Sequence, residues 1–286
     1  MSDAILRLES VSYHYADGTC ALDACSLTLR RGRRTAVLGA NGAGKTTMFL
    51  HLNGILRPSS GQVFCEGSPL DYSRSGMREL RSRVGMVFQN PDSQLFSACV
   101  REDVSFGPMN LGLESSVIRM RVDEALQAVG MTECAEKPVH NLSYGQKKRV
   151  CIAGVLAMRP EVIVLDEPMA GLDATMQEEL TVILERLHGS GITIVIATHD
   201  LDFAYGWANE VIVLQTGRLL AQGDPVETLR REEVRDKLGT APLVAEITRS
   251  LSLIGIELRD NGYPPRSKSG LLRAIAAHSG REETTP

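Results

Sequence analysis

Apolar and polar positions alternate in part along residues 5–15 and again along residues 21–29. Asp17-Gly18 between them is a turn pair, so two antiparallel strands are predicted at the start of the chain. Residues 35–38 form a short apolar strand that runs into a glycine-rich segment, and residues 46–56 follow with helical character up to Pro58. Residues 62–65 and 84–88 read as further strands, whereas Ile118, Val122, Ala125, Leu126 and Val129 keep the spacing of an amphipathic helix. Residues 162–165 and 193–197 are β-branched runs on either side of Met176, Leu180, Ile183, Leu184 and Leu187, which again keep helical spacing. Strand, helix, strand predicts a parallel βαβ unit, with Gly189 and Gly191 closing the helix. Residues 210–214 and 218–222, joined by Thr216-Gly217, predict a hairpin that ends the main unit. After Asp224-Pro225 the pattern changes. Two short helical patterns, residues 234–253 and 271–277, flank the breaker-rich residues 261–269, and residues 282–286 are polar and unpatterned. The expected organisation is a main unit of residues 1–235, with helical character over about 90–160, and a helical appendage of residues 236–286. No internal repeat is present.

The bulk numbers narrow this picture. The 286 residues are 43% hydrophobic and 23% charged, the usage of a chain that folds in water. A net charge of -4 speaks against a nucleic-acid partner, which normally requires a clustered basic surface. The basic runs at residues 30–34 and 147–149 are short, and their ordinary reading is a solvated face. Asp3, Arg7, Glu9 and Asp17 interrupt any early apolar stretch, so no signal peptide is expected and the protein is expected inside the cell. No apolar run approaches the roughly 18 to 20 residues that cross a bilayer, so any membrane connection would come through partners. The six cysteines, Cys20, Cys25, Cys65, Cys99, Cys134 and Cys151, have neither C-x-x-C nor zinc-finger spacing and read as reduced core residues.

The glycine-rich segment carries the first chemistry. Gly39-Ala40-Asn41-Gly42-Ala43-Gly44-Lys45-Thr46 fits G-x-x-x-x-G-K-[ST] between a strand and a helix, the context a phosphate loop requires; Thr47 follows it. Its glycines let the backbone approach phosphate oxygens, Lys45 would reach the β- and γ-phosphates, and Thr46 would ligate Mg²⁺. The apolar strand of residues 162–165 ends in Asp166 and Glu167, where a metal-holding carboxylate and a base for an attacking water are expected. Together these motifs imply a nucleoside-triphosphate hydrolase of the P-loop class. Leu142-Ser143-Tyr144-Gly145-Gln146 adds an S-x-x-Q capping box, hence a helix N-terminus with amide donors free for an anion.

The position of Ser143-Tyr144-Gly145-Gln146 resembles the signature motif of ABC ATPases. Gln89 resembles their Q-loop, Ala170-Gly171-Leu172-Asp173 their D-loop, and His199 their switch histidine, all in the family's order. A lone histidine at a strand end is otherwise more often structural. Tyr15 looks like the aromatic that stacks on adenine, with Tyr13 as the neighbouring candidate. The resemblance covers residues 1 to about 230. It implies an α/β P-loop fold with an N-terminal antiparallel β region, a RecA-like parallel sheet, an inserted helical subdomain and a C-terminal appendage. It also implies nucleotide contacts from Tyr15, Gly39 to Thr47, Gln89, Ser143 to Gln146 and Asp173, and Mg²⁺ contacts from Thr46, Gln89 and Asp166. Glu167 and His199 would be catalytic. The segments 88–96, 102–108, 146–150 and 153–158 are similar to energy-coupling-factor importers, the last two to their cobalt-importing members. Tyr144 stands where most ABC proteins have glycine and Met169 where threonine is usual; neither change removes a catalytic group.

What the likeness implies is an ATPase subunit at the cytoplasmic face of the membrane, without a span of its own. It would work as a homodimer or paired with a second related ATPase, together with a membrane coupling subunit and a membrane substrate-binding subunit. Cobalt or nickel would be the cargo, although vitamin importers use similar ATPases. Leu95, Phe96 and Phe106 are expected to form an apolar groove for a partner helix, unless they are simply core. The alternative class, ABC ATPases of DNA repair, chromosome structure or translation, shares the sites. The interval from Lys45 to Asp166 leaves no room for a long coiled-coil insertion, and the single motif set is unlike tandem translation factors. A nucleotide-switched binding module is disfavoured by the presence of both Glu167 and His199.

Overall fold

The two alternating stretches become β1 (Ala4–His14) and β2 (Cys20–Arg30), paired antiparallel, in a computed structural model that describes residues 3–282. The chain continues through β3 (Arg34–Leu38), α1 (Lys45–Leu52), β4 (Ser60–Cys65), the two-residue β5 (Ser68–Pro69), α2 (Arg74–Arg83) and β6 (Val84–Val87). Three helices follow, α3 (Val100–Asn110), α4 (Ser115–Ala128) and α5 (Tyr144–Leu156). The alternating part then resumes with β7 (Val162–Asp166), α6 (Ala174–Gly189), β8 (Thr193–Ala197), α7 (Leu201–Trp207) and the hairpin β9 (Glu210–Gln215) and β10 (Arg218–Gly223). The chain closes with α8 (Pro225–Arg230), α9 (Glu232–Leu238), α10 (Leu243–Leu253) and α11 (Lys268–Glu282).

Two sheets result. One is antiparallel, in the order β2-β1-β4-β5; the other runs β10-β9-β3-β8-β7-β6, parallel from β9 to β6 with β10 antiparallel at its edge. Period-two alternation explains why β7 up to Asp166 and β8 after Thr193 are apolar on both faces: both faces are covered. Val162, Val164 and Val195 face the layer shared with the antiparallel sheet, beside Met48 and Phe49. Ile163, Leu165, Ile194 and Ile196 face a second core that takes in the helices and Val234, Val244, Leu258 and Leu271 of the C-terminal region. Each such side chain, fully buried, contributes roughly 1.5–3 kcal/mol by removal from water. Because the parallel strands end in register, the loops after β3, β6, β7 and β8 come together at one sheet edge, where open α/β sheets bind ligands.

Several expectations change. The helix after the glycine-rich loop ends at Leu52 rather than at residue 56, because Ile55 and Leu56 both donate their amides to Leu50 O and the Asn53 side chain donates to Val84 O. The pattern over residues 234–253 is two helices, α9 and α10, since α9 ends at Gly239 in a left-handed conformation. Helices α2, α7 and α8 carried no periodic signal of their own. Glu282 is still helical, and residues 283–286 of the expected frayed end lie outside the described residues. Cys25, Cys134 and Cys151 are buried as expected, but Cys20 is exposed; all six thiols are free. The basic runs are not simply solvated. Arg30 pairs with Glu210, Arg31 with Glu66 and Glu161, and Lys148 is only 3% exposed. Leu95 is core, which leaves Phe96 and Phe106 as the open apolar pair. Among the described residues no helix is long and apolar enough to cross a membrane.

Candidate active site

The loop from Gly39 to Gly44 folds tightly because two glycines allow it. Gly39 and Gly44 have φ of +152° and +101°, and a Cβ at either would lie 2.5 Å from a backbone oxygen, Leu214 O or Ala21 O. The loop delivers the chain into α1, whose first residue is Lys45. With the ends of the neighbouring strands it walls a cavity of about 530 Å³. Tyr15, residues 40–47, Gln89, Asp166, Glu167 and His199 line it, so five separate stretches of the chain meet there. Gly39 is buried behind this wall.

Lys45 is 7% exposed and its Nζ donates to Gly39 O at 2.7 Å and to Ala40 O at 3.4 Å; it stands 3.8 Å from Glu167 Oε1. Thr46 Oγ1 donates to Asp166 Oδ2 at 2.7 Å. Burial pushes the Asp166 carboxyl above its ordinary value, opposed by the Thr46 hydrogen bond and by the charges of Lys45 and Lys148. Glu167 follows directly, at φ +44°, its Oε2 3.0 Å from His199 Nδ1. The His199 side chain remains 71% exposed and the Glu167 side chain only 11%. The oxygen-only set of Thr46 and Asp166, with Gln89 in the same wall, suits a hard cation such as Mg²⁺ that keeps water and phosphate ligands. Among the described residues no group of three His, Cys, Asp or Glu side chains gathers to hold a metal alone.

The two tyrosine candidates separate. Tyr15 is 39% exposed, lines the cavity and shares a 3.0 Å hydrogen bond with Thr47 Oγ1, whereas Tyr13 packs edge-on against both Tyr15 and the buried His51. Thr19, Cys20 and Ala21 also line the cavity and were not among the expected residues. Their one clue was the turn that brings β2 back beside Tyr15.

Ser143, Tyr144, Gly145 and Gln146 do not line this cavity, nor does Asp173. Ser143 caps α5 as the sequence implied. Its Oγ accepts from Gln146 N at 3.3 Å while Gln146 Oε1 accepts from Ser143 N at 3.0 Å. Asp173 caps α6 by accepting from Met176 N at 2.8 Å, and a Cβ on Gly145 would meet Met176 Sδ at 2.9 Å, so the two helix starts lie side by side. Tyr144 Oη donates to Gln89 O at 3.4 Å. A second cavity of about 690 Å³ lies between α2 and α3, with Ile55, Met77, Phe88, Phe96, Phe106 and Met158 in its lining beside Arg74, Arg78, Arg81 and Asp103. Phe96 and Phe106 are 65% and 48% exposed there and meet edge to face at 4.7 Å.

Residues 22–170 match the family described as ABC transporter. The chain is 49% identical over 239 residues to the energy-coupling factor transporter ATP-binding protein EcfA3 of Clostridium perfringens, across 83% of this chain and 84% of the relative. Among solved structures, cbiO1 of Clostridium perfringens, described as part of the ABC transporter complex cbiONQ, superposes with a TM-score of 0.74 at 46% identity. That match covers 89% of this chain and 100% of the other. A dimeric ATP-binding cassette bound to ADP and phosphate superposes with a TM-score of 0.70 at 26% identity, over 77% and 98% of the two chains. The reading as a repair or translation ATPase is not favoured by these relatives. With a phosphate loop, a strand-end carboxylate pair and a histidine meeting in one cavity, the chain belongs to the ABC transporter ATP-binding family and is the ATPase subunit of an energy-coupling-factor-type ABC transporter.

Proposed function

We propose that ATP binds in the cavity beside Lys45 and is hydrolysed only when a second subunit supplies its Ser143 to Gln146 helix end. The observation that carries this reading is the separation just described: a capped helix N-terminus, whose Tyr144 and Gly145 amides have no acceptor among the described residues, stands outside the wall of its own chain's phosphate cavity. Two subunits facing each other would complete two sites, each pairing one chain's Gly39 to Thr46 loop with the other's signature helix, and Asp173 would lie at the junction. The dimeric cassette with ADP and phosphate supports that arrangement. The second subunit would be a copy of this chain or a second related ATPase.

The side chains would divide the work. Tyr15 would stack on adenine; loop amides and Lys45 would hold the β- and γ-phosphates, Lys45 leaving Gly39 O to do so. Thr46, Asp166 and Gln89 would hold Mg²⁺, which when bound neutralises charge on the phosphate oxygens. Glu167 would orient and deprotonate the attacking water, and His199, bonded to its carboxylate, would fix that carboxylate and meet the γ-phosphate. Binding closes the pair and hydrolysis reopens it. In this reading residues 1–235 are the ATP-binding unit, residues 90–160 its helical part and residues 236–286 an appendage, located peripherally at the cytoplasmic face of the membrane.

Partners and cargo follow from the groove and from subgroup likeness. A helix of a membrane coupling subunit would sit on Phe96 and Phe106, and a membrane substrate-binding subunit would complete the complex, with no nucleic acid involved. The cbiONQ complex of the similar cbiO1 supports an assembly of this kind. Cobalt or nickel is the cargo suggested by residues 146–150 and 153–158. We expect Phe96→Asp to leave the thermal melt within a few degrees, since Phe96 is largely exposed, while the membrane subunit no longer copurifies and cellular metal-ion accumulation fails. Full retention of the complex with an unchanged melt places docking elsewhere, and normal cobalt and nickel uptake in cells lacking this chain rejects that cargo.

A further inference from the structure

Lys148 stands apart among the cations of this chain. It lies on the second turn of α5, is 3% exposed, and has no carboxylate within 4.0 Å among the described residues. A buried ammonium without a counter-ion is unfavourable unless its N–H groups are satisfied. Here Nζ donates to Glu167 O at 3.0 Å and to Pro168 O at 2.9 Å, and stands 5.4 Å from the centre of the Tyr144 ring. Burial pushes the Lys148 ammonium down to about 8, with Cys151, Glu167 and Asp166 resisting the shift.

The two carbonyls belong to the turn that aims the catalytic carboxylate. Glu167 is left-handed, a conformation that an L side chain adopts only where its surroundings hold it. Its amide donates to Ala197 O at 3.0 Å and its carbonyl accepts from Ala170 N at 3.1 Å, so Lys148 is a third tether on its backbone and, among the described residues, the one reaching it from α5. Tyr144, four residues earlier on the same face of α5, lies against Gly171, where a Cβ would meet the ring at 2.8 Å. One helix start is therefore fastened to Gln89, to the Glu167 turn and to Gly171.

We propose that Lys148 is a positioning residue for Glu167, which ties the placement of the base in its own subunit to the seating of α5. Seating of α5 on the opposite subunit's nucleotide rests on the shared-site reading above; the tether to Glu167 does not. When Ser143 to Gln146 engage that nucleotide, α5 would draw on the Glu167 turn through Lys148, so occupation of one site would prepare the base at the other.

The test uses purified full-length chain and compares Lys148→Met with Lys148→Arg, which keeps charged donors for both carbonyls. For Lys148→Met we expect kcat at least about 10-fold lower, KM for ATP within about threefold and the melt within a few degrees of the parent; Lys148→Arg restores kcat to within about threefold. If Lys148→Met does not fold, Lys148→Ala, which likewise has no donor, takes its place with the same expectation. A kcat within threefold of the parent overturns the proposal. So does a loss that comes with a raised KM and a lowered melt, or one that Arg does not recover, because either describes packing alone. The shared-site reading is followed separately by size-exclusion chromatography of the Glu167→Gln chain with ATP. Absence of a dimer there strikes that reading and leaves the kcat comparison to judge Lys148.

Discussion

Glu167→Gln is expected to lower turnover at least about 10²-fold while ATP affinity stays within about threefold of the parent. The side chains are nearly isosteric, so the amide keeps a polar contact with His199 Nδ1, at 3.0 Å in the parent, and leaves Lys45 and the phosphate loop undisturbed. What is lost is the capacity to take a proton from water. A positioned base contributes roughly 10²–10⁴-fold, and the expected loss lies at the low end because the loop's amides and Lys45 would remain. Steady-state hydrolysis and equilibrium nucleotide titration on the same protein separate the two quantities. Near-normal turnover removes Glu167 from the role of base.

Lys45→Ala has the opposite signature. Its ammonium is almost enclosed, held by Gly39 O and Ala40 O at the mouth of the glycine loop, where a phosphate oxygen would take over from the carbonyls. Hydrogen bonds to charged groups are worth about 1.5–3 kcal/mol, so ATP affinity should fall roughly 10- to 100-fold, and turnover with it at fixed nucleotide. Truncation also leaves Gly39 O without this donor, so a thermal melt belongs beside the titration. Unchanged affinity with an unchanged melt means that the phosphates sit elsewhere.

The parts of this protein that were legible in sequence share a physical property: short-range pattern and function coincide there. The glycine loop needs left-handed residues at fixed positions, and β7 and β8 need apolar side chains on both faces. The Ser143 cap announces itself through Gln146. These features were placed within a residue or two, and Asp166, Glu167, Gln89 and His199 converge as their positions at strand ends demand. Helix α2 gave no warning because Met77 and Leu80 are the only large apolar side chains among its ten residues, too few to announce a helix by spacing. Helix α7 spans seven residues, too short for periodicity, and its signal was the Asp200 cap alone. Lys148 was misread as part of a solvated charge run since its partners are backbone carbonyls 19 and 20 residues away, which no side-chain pattern reveals. Leu95 and Phe96 are adjacent, yet one is core and the other faces the groove, a distinction made by the turn that Asn90 and Gln94 build around them.

Sharing of each proposed ATP site between two subunits is tested most directly by complementation. Glu167→Gln and Ser143→Arg chains, inactive as pure proteins, would be coexpressed with different tags and the mixed dimer isolated through both. If sites are shared, one site of that dimer carries both defects and the other carries none. Hydrolysis per mixed dimer should then recover to about half that of the parent when the sites act independently, and well above either single variant in any case. Hydrolysis by the mixed dimer no greater than that of the single variants would contradict the shared site.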